Sequence, residues 1–333
     1  MCWTHACVHA NAIKHTAAFK LAILDDYQRV ALSITDWSVV EDRLTITAFD
    51  QHLGDLDAVA KALLDFDVIV IMRERTPFPS TLLGRLPKLK LLVTTGMRNL
   101  AIDMVAAREQ GIDVCGTQML GYPAAEHTWA LILALVKQIP LENESMHQGG
   151  WQAGFSSGLR NNTLGILGLG KLGAQVAQVA LAFGMNVQAW SENLTPERCK
   201  ACGVTWVERD TLLSTSDIVS IHLVLSERTR GLIGPKELAL MKPSAYLVNT
   251  SRGPIVGEDA LVDALQRGTI AGAGLDVYAV EPLPTSHPLR AARNAVLTGH
   301  TGYVMRENYA QGYGQAVENI LAWLSGTPKR LLN

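Results

Sequence analysis

The hexapeptide Gly168-Leu-Gly-Lys-Leu-Gly173 stands between an apolar run, Thr163–Leu167, and a helical run over 174–183. A strand, a glycine turn and a helix in immediate succession constrain the fold more than any other feature of this chain. Gly168 permits a tight turn, Gly170 lets main chain approach a diphosphate, and Gly173 allows the helix to pack on the strand. Free N–H groups and the helix dipole at that end favour an anion. Lys171 and Leu172 complete the turn; Lys171 either adds charge beside the phosphates or faces solvent. The pattern points to a bound dinucleotide.

The rest of the chain is compatible with that turn. Short apolar runs at 20–24, 44–49, 67–72, 89–95 and 112–115 alternate with amphipathic stretches such as 56–64 and 100–110. Buried strands alternating with helices imply a parallel sheet with helical crossovers. A long helix is expected from Pro123 to about Met146, then a glycine- and serine-rich loop over 148–158. A second strand series follows at Thr163–Leu167, Asn186–Trp190, 218–222, 245–249, 271–275 and Ala295–Leu297. Residues 307–324 read as a helix that returns to the first unit. The expected domains are therefore 20–120 with 302–333, for substrate, and 121–301, for the dinucleotide.

A chain of 333 residues is long enough for two such cores. Lys and Arg number 29 against 31 Asp and Glu, and this balance argues against nucleic acid as a partner. No stretch is apolar enough to be a signal peptide or membrane span, so a cytoplasmic protein is expected. Five cysteines fit a reducing compartment. Cys199 and Cys202 have CxxC spacing without a second pair and read as ordinary small residues. Cys2, His5, Cys7, His9 and His15 lie in residues 1–19, read as a disordered extension rather than a metal site.

Three polar residues follow predicted strands of the second series. Arg252, after 245–249, offers a rigid fork that can hold a carboxylate and polarise a carbonyl. His300, between Gly299 and Gly302, can move a proton, and Glu281 can fix its tautomer. Asp276 is a candidate partner for a nicotinamide carboxamide. Arginine and imidazolium supply the positive charge, so no metal is required. The residues at 191–193 bear on the cofactor: Ser191 stands where an acidic ribose ligand is expected, and Glu192 follows it. NAD is favoured over NADP.

With these residues in place, the chain resembles the D-isomer-specific 2-hydroxyacid dehydrogenase family from residue 20 onward. The landmarks are Gly168–Gly173, Asp217-Ile-Val-Ser-Ile-His222, Asn249-Thr-Ser-Arg-Gly253, Asp276 through Pro282 and His300, with Gly96 through Asp103, Ala125-Glu-His127 and Gly150-Trp151 upstream. The resemblance implies two Rossmann- or flavodoxin-like α/β domains with parallel sheets, the first discontinuous, around an interdomain cleft that holds the active site. It implies a homodimer. Arg252, Glu281 and His300 take the catalytic roles; Met97 and Arg98 fall on the substrate loop, with Arg73 on a neighbouring one. His222, Thr250 and Gly302 join the cofactor contacts. The implied reaction moves hydride between nicotinamide and C2 of a small 2-hydroxy or 2-oxo acid, with glyoxylate and hydroxypyruvate as trial substrates. A dinucleotide-sensing corepressor and a dehydrogenase of another small anion, such as phosphite, are the alternatives. The chain departs from the family at Ser191, Val224, Gly299, Met97 and Arg98.

Overall fold

The computed structural model describes residues 19–333; the candidate N-terminal cysteines and histidines lie outside the described residues. β1 opens at Phe19, one residue before the expected start of folded chain. The chain forms two α/β units, one ending at Met119 and resuming at Met305–Asn333, the other spanning Leu120–Val304.

The first unit is built on β1 (Phe19–Ile23), β2 (Leu44–Ala48), β3 (Val68–Ile71), β4 (Leu91–Thr94) and β5 (Asp113–Gly116). All neighbours run parallel in the order β2-β1-β3-β4-β5. Its central strands read as unbroken apolar runs because helices cover both faces: Val68, Ile69, Val70 and Ile71 are all buried. Burying each such side chain stabilises the fold by roughly 1.5–3 kcal/mol. The returning helix is Arg306–Leu324, which buries Tyr313, Ala316 and Ile320. Trp323 at its end stacks edge-on against Phe19, 5.6 Å between centroids. After it, Leu332 N–H donates to Val114 O (2.8 Å), and Gly116 N–H donates to Arg330 O (2.9 Å). The chain end thus covers the open edge of β5.

The second unit carries β6 (Thr163–Leu167), β7 (Asn186–Trp190), β8 (Thr205–Trp206), β9 (Ile218–Ile221), β10 (Tyr246–Asn249), β11 (Gly272–Leu275) and β12 (Ala295–Leu297). The order is β12-β11-β10-β9-β6-β7-β8, again parallel throughout. The order reverses between β6 and β9, and in open α/β sheets ligands bind at the carboxyl ends around such a point.

The single helix expected from Pro123 to about Met146 is two, Pro123–Val136 and Ile139–His147. Pro140 lacks an N–H, and its ring would clash with the carbonyl one turn earlier. The chain breaks there, with Gln138 in the left-handed region at φ 53°. Two further boundaries differ: the helix after the glycine turn starts at Lys171, not 174, and the stretch expected at 100–110 is helical only over Met104–Glu109. In the latter, Asp103 caps the first turn through Ala106 N–H (3.0 Å). Cys199 lies buried in the helix Pro196–Ala201, and Cys202 follows its end.

Candidate active site

In the second unit, every candidate residue follows the carboxyl end of a strand. Gly168 leaves β6 at φ 103°, where a side chain is strained, and a Cβ there would sit 2.7 Å from His222 O. A Cβ on Gly173 would run into Gly168 O, so the helix meets the strand only because that residue is glycine. Gly170 differs: a Cβ there would meet nothing within 4 Å. The helix Lys171–Ala182 has no side-chain cap, so its first N–H groups point at this open space. Open room and uncapped donors fit the diphosphate of a dinucleotide. The Lys171 ammonium lies against Gly121.

β7 ends at Trp190, followed by half-exposed Ser191 and exposed Glu192. Ser191 O accepts Leu194 N–H (3.0 Å), forming a turn. The nearby cation Arg209 stacks over Trp190 at 6.0 Å and pairs with Asp210 (3.2 Å) and Glu237 (3.5 Å). Beyond β9, His222 Nε2 is 2.9 Å from Ser220 Oγ, and burial pushes its pKa down to about 4. The ring is therefore neutral near pH 7. Beyond β10, the Thr250 hydroxyl bonds that of Thr128 (2.7 Å).

Arg252, Glu281 and His300 follow β10, β11 and β12, three neighbouring strands. Asn249 shapes the Arg252 turn: its amide donates to Arg252 O (3.0 Å) and its carbonyl accepts Ser251 N–H (3.0 Å). Gly253 lies against the Tyr278 main chain so closely that any Cβ would overlap it. Tyr278 ties the next two loops together, its buried hydroxyl donating to Thr298 O (2.9 Å).

The two oxygens of Glu281 have separate partners. Oε1 accepts Tyr278 N–H (2.9 Å), while Oε2 lies 2.6 Å from His300 Nδ1. A carboxylate only accepts, so Nδ1 carries the proton and Nε2 is left as the exchangeable position. His300 itself sits at φ 55°, unusual for a residue with a Cβ, and donates its N–H to Asp276 O (2.7 Å). Tyr303 packs edge-on against its ring at 5.4 Å. The Asp276 carboxylate faces inward: Thr301 N–H donates to Oδ1 and Gly302 N–H to Oδ2, each at 2.8 Å. Those oxygens thus hold the histidine turn.

In the first unit, Arg73 has φ 54°, with both main-chain groups held by side chains. Its N–H donates to Thr95 Oγ1 (2.9 Å), and its carbonyl accepts from Asn99 Nδ2 (2.7 Å). Its guanidinium covers Gly96, where a Cβ would be 2.6 Å from Nη1. Met97 and Arg98 are exposed on the same loop.

Tyr278, Asn249 and Ser220 stand within the landmark motifs, but sequence reading assigned them no role of their own. Tyr278 lies within the polar stretch from Asp276 to Pro282, but nothing local marks a hydroxyl that reaches twenty residues ahead. Among the described residues there is no cluster of metal-ligating side chains and no helix long and apolar enough to cross a membrane.

Comparison with known proteins gives the same outline. Residues 129–302 match the model of the "D-isomer specific 2-hydroxyacid dehydrogenase, NAD binding domain". The chain is 41% identical to a glyoxylate reductase of Aeropyrum pernix over 263 residues, covering 76% of this chain and 78% of that one. It is 29% identical to a hydroxypyruvate reductase of Blautia hydrogenotrophica over 328 residues, covering 94% and 99%. Among solved structures, a phosphoglycerate oxidoreductase from Vibrio cholerae aligns with TM-score 0.88 and 33% identity, covering 93% and 100%. This chain belongs to the D-isomer-specific 2-hydroxyacid dehydrogenase family, oxidoreductases that use a nicotinamide dinucleotide.

Proposed function

We propose that this protein reduces a small 2-oxo acid, glyoxylate or hydroxypyruvate, to the D-2-hydroxy acid, and runs the reverse oxidation. The observation that carries this reading is the Glu281–His300 contact of 2.6 Å on strands neighbouring that of Arg252. Arg252 binds the substrate carboxylate through its fork. His300 Nε2 gives a proton to the carbonyl oxygen in reduction and takes the hydroxyl proton in oxidation, while Glu281 holds Nδ1–H. A bound nicotinamide supplies or accepts the hydride.

The glycine turn Gly168–Gly173 holds the diphosphate, with Ser191, Glu192, His222 and Thr250 around the nucleotide. Glu192 carries its charge at the ribose end of β7, where it disfavours a 2′-phosphate and selects NAD. Within the first unit, Arg73 and the Met97–Arg98 loop are the candidates for substrate recognition. The glyoxylate and hydroxypyruvate reductases named above support this substrate class.

The test is a titration with NADH and NADPH, followed by turnover on a panel of 2-oxo acids. NADH should bind more tightly, and at least one of the two trial acids should be reduced. His300→Ala should lower kcat by about a hundredfold or more while leaving NADH affinity within about twofold. Wild-type turnover in that variant sinks the acid–base assignment.

A further inference from the structure

Ala125-Glu-His127 lies in the first turns of the helix Pro123–Val136 and has no part in the chemistry above. Yet His127 reaches the strand edge that carries the proton-transfer group. Its Nε2 is 2.9 Å from Thr298 Oγ1 and 3.2 Å from Asp276 Oδ1. Thr298 donates its hydroxyl proton to the same Oδ1 at 2.6 Å, so Thr298 Oγ1 remains free to accept from His127 Nε2–H. Asp276 is only 1% exposed. Around its carboxylate stand the Thr298 hydroxyl, the His127 ring N–H, and the N–H groups of Thr301 and Gly302. The two main-chain N–H groups can only donate, and with the Thr298 and His127 protons turned toward the same oxygens the surroundings suit an ionised carboxylate. Burial alone would raise Asp276, but hydrogen bonds from His127 and Thr298, the charge of His127 and the Thr301 N–H together bring it below the ordinary carboxylate range.

The consequence lies one residue away. His300 is bound to Asp276 O, and the next two N–H groups are bound to the Asp276 side chain. Three bonds from one residue therefore keep His300 at its left-handed φ, a conformation that costs about 1–2 kcal/mol and persists only when surroundings impose it. Gly302 packs on the same pair: a Cβ there would sit 2.9 Å from Asp276 Oδ2 and 3.6 Å from His127 Cδ2. Glu281 orients the imidazole ring; Asp276 fixes the main chain that carries it.

We propose that His127 is a positioning residue for the proton-transfer step: through Asp276 and Thr298 it holds the His300–Gly302 turn, and so aims the imidazole. This rests on His300 being the acid–base group, and the test separates the two ideas. The full-length chain is assayed with NADH and whichever trial acid the wild type reduces. His127→Leu removes the donor. It should lower kcat about tenfold, with the KM of the acid and the dissociation constant of NADH within about twofold. His127→Gln, which places an N–H near the same point, should recover kcat to within about threefold of wild type. In a His300→Ala background, His127→Leu should cost less than about twofold, because the group it positions is gone. Thr298→Val, which breaks the same link from the other side, should repeat the kcat-selective loss and serves if His127→Leu does not fold. Wild-type kcat in both His127→Leu and Thr298→Val overturns the proposal. So does a loss of equal size in the His300→Ala background, which marks a merely structural tie. Full activity in His300→Ala alone rejects the acid–base reading instead.

Discussion

Two histidines at strand ends of the second unit have opposite surroundings. His300 faces a carboxylate at 2.6 Å, while His222 has only the Ser220 hydroxyl at 2.9 Å. Burial without a countercharge depresses His222 from 6.5 to about 4. The sign of the effect on stability follows. Between these values the unfolded chain binds a proton that the folded chain does not, so stability is full above about pH 6.5 and falls as pH drops toward 4. The loss is up to about 3 kcal/mol. Reversible urea unfolding at pH 7 and pH 4.5 should therefore show a smaller pH difference in His222→Gln than in wild type. An identical difference in both proteins rules out His222 as the source. At this scale the sequence was a partial guide. It marked Arg252, Glu281 and His300 as chemistry-bearing, but not that Glu281 divides its oxygens between Tyr278 N–H and the ring. That division depends on a turn whose geometry no local pattern encodes.

The twelve strands among the described residues differ sharply in how visible they are. A run such as Val68–Ile71 stands out because a strand buried on both faces favours apolar side chains at every position. Thr205–Trp206 did not, since two residues at the edge of the sheet carry no periodicity. Helix ends followed their chemistry more closely than the apolar pattern did: Asp103 and Pro140 set boundaries that the spacing of apolar residues had blurred. The covering of β5 was also illegible, because the four residues 330–333 are too few to show a strand period. They nonetheless form four hydrogen bonds with residues 112–116, two of them through the Asn333 side chain. Deleting residues 329–333 should lower Tm by roughly 5–10 °C, the scale of a few lost backbone bonds in a unit of this size. It should also promote aggregation, because an open strand edge is a template for pairing. Calorimetry and light scattering would check both, and an unchanged Tm would show that the edge needs no cover.

At the scale of the whole molecule, five large exposed apolar side chains of the second unit gather in one stretch of sequence. Trp151 is 73% and Phe155 96% exposed, and Ile139, Leu141 and Met146 are exposed in the preceding helix. A monomer rarely leaves so much aromatic and aliphatic surface in water, so the homodimer that the family resemblance implies is expected to bury this segment. Light scattering coupled to size exclusion should report a dimer for the wild type and a monomer for Trp151→Ser with Phe155→Ser. A double variant that stays dimeric places the interface elsewhere. The primary structure by itself determined the alternation of strands and helices, the glycine turn after β6, and which residue types were available for proton transfer. These are local properties, fixed by backbone sterics and by apolar periodicity. Tertiary structure alone decided that β10, β11 and β12 lie side by side, that His300 is held in a left-handed conformation, and that His127 backs the carboxylate below it. Those contacts join residues separated by up to 171 positions, and only the packing of helix on sheet brings such side chains within a hydrogen bond's reach.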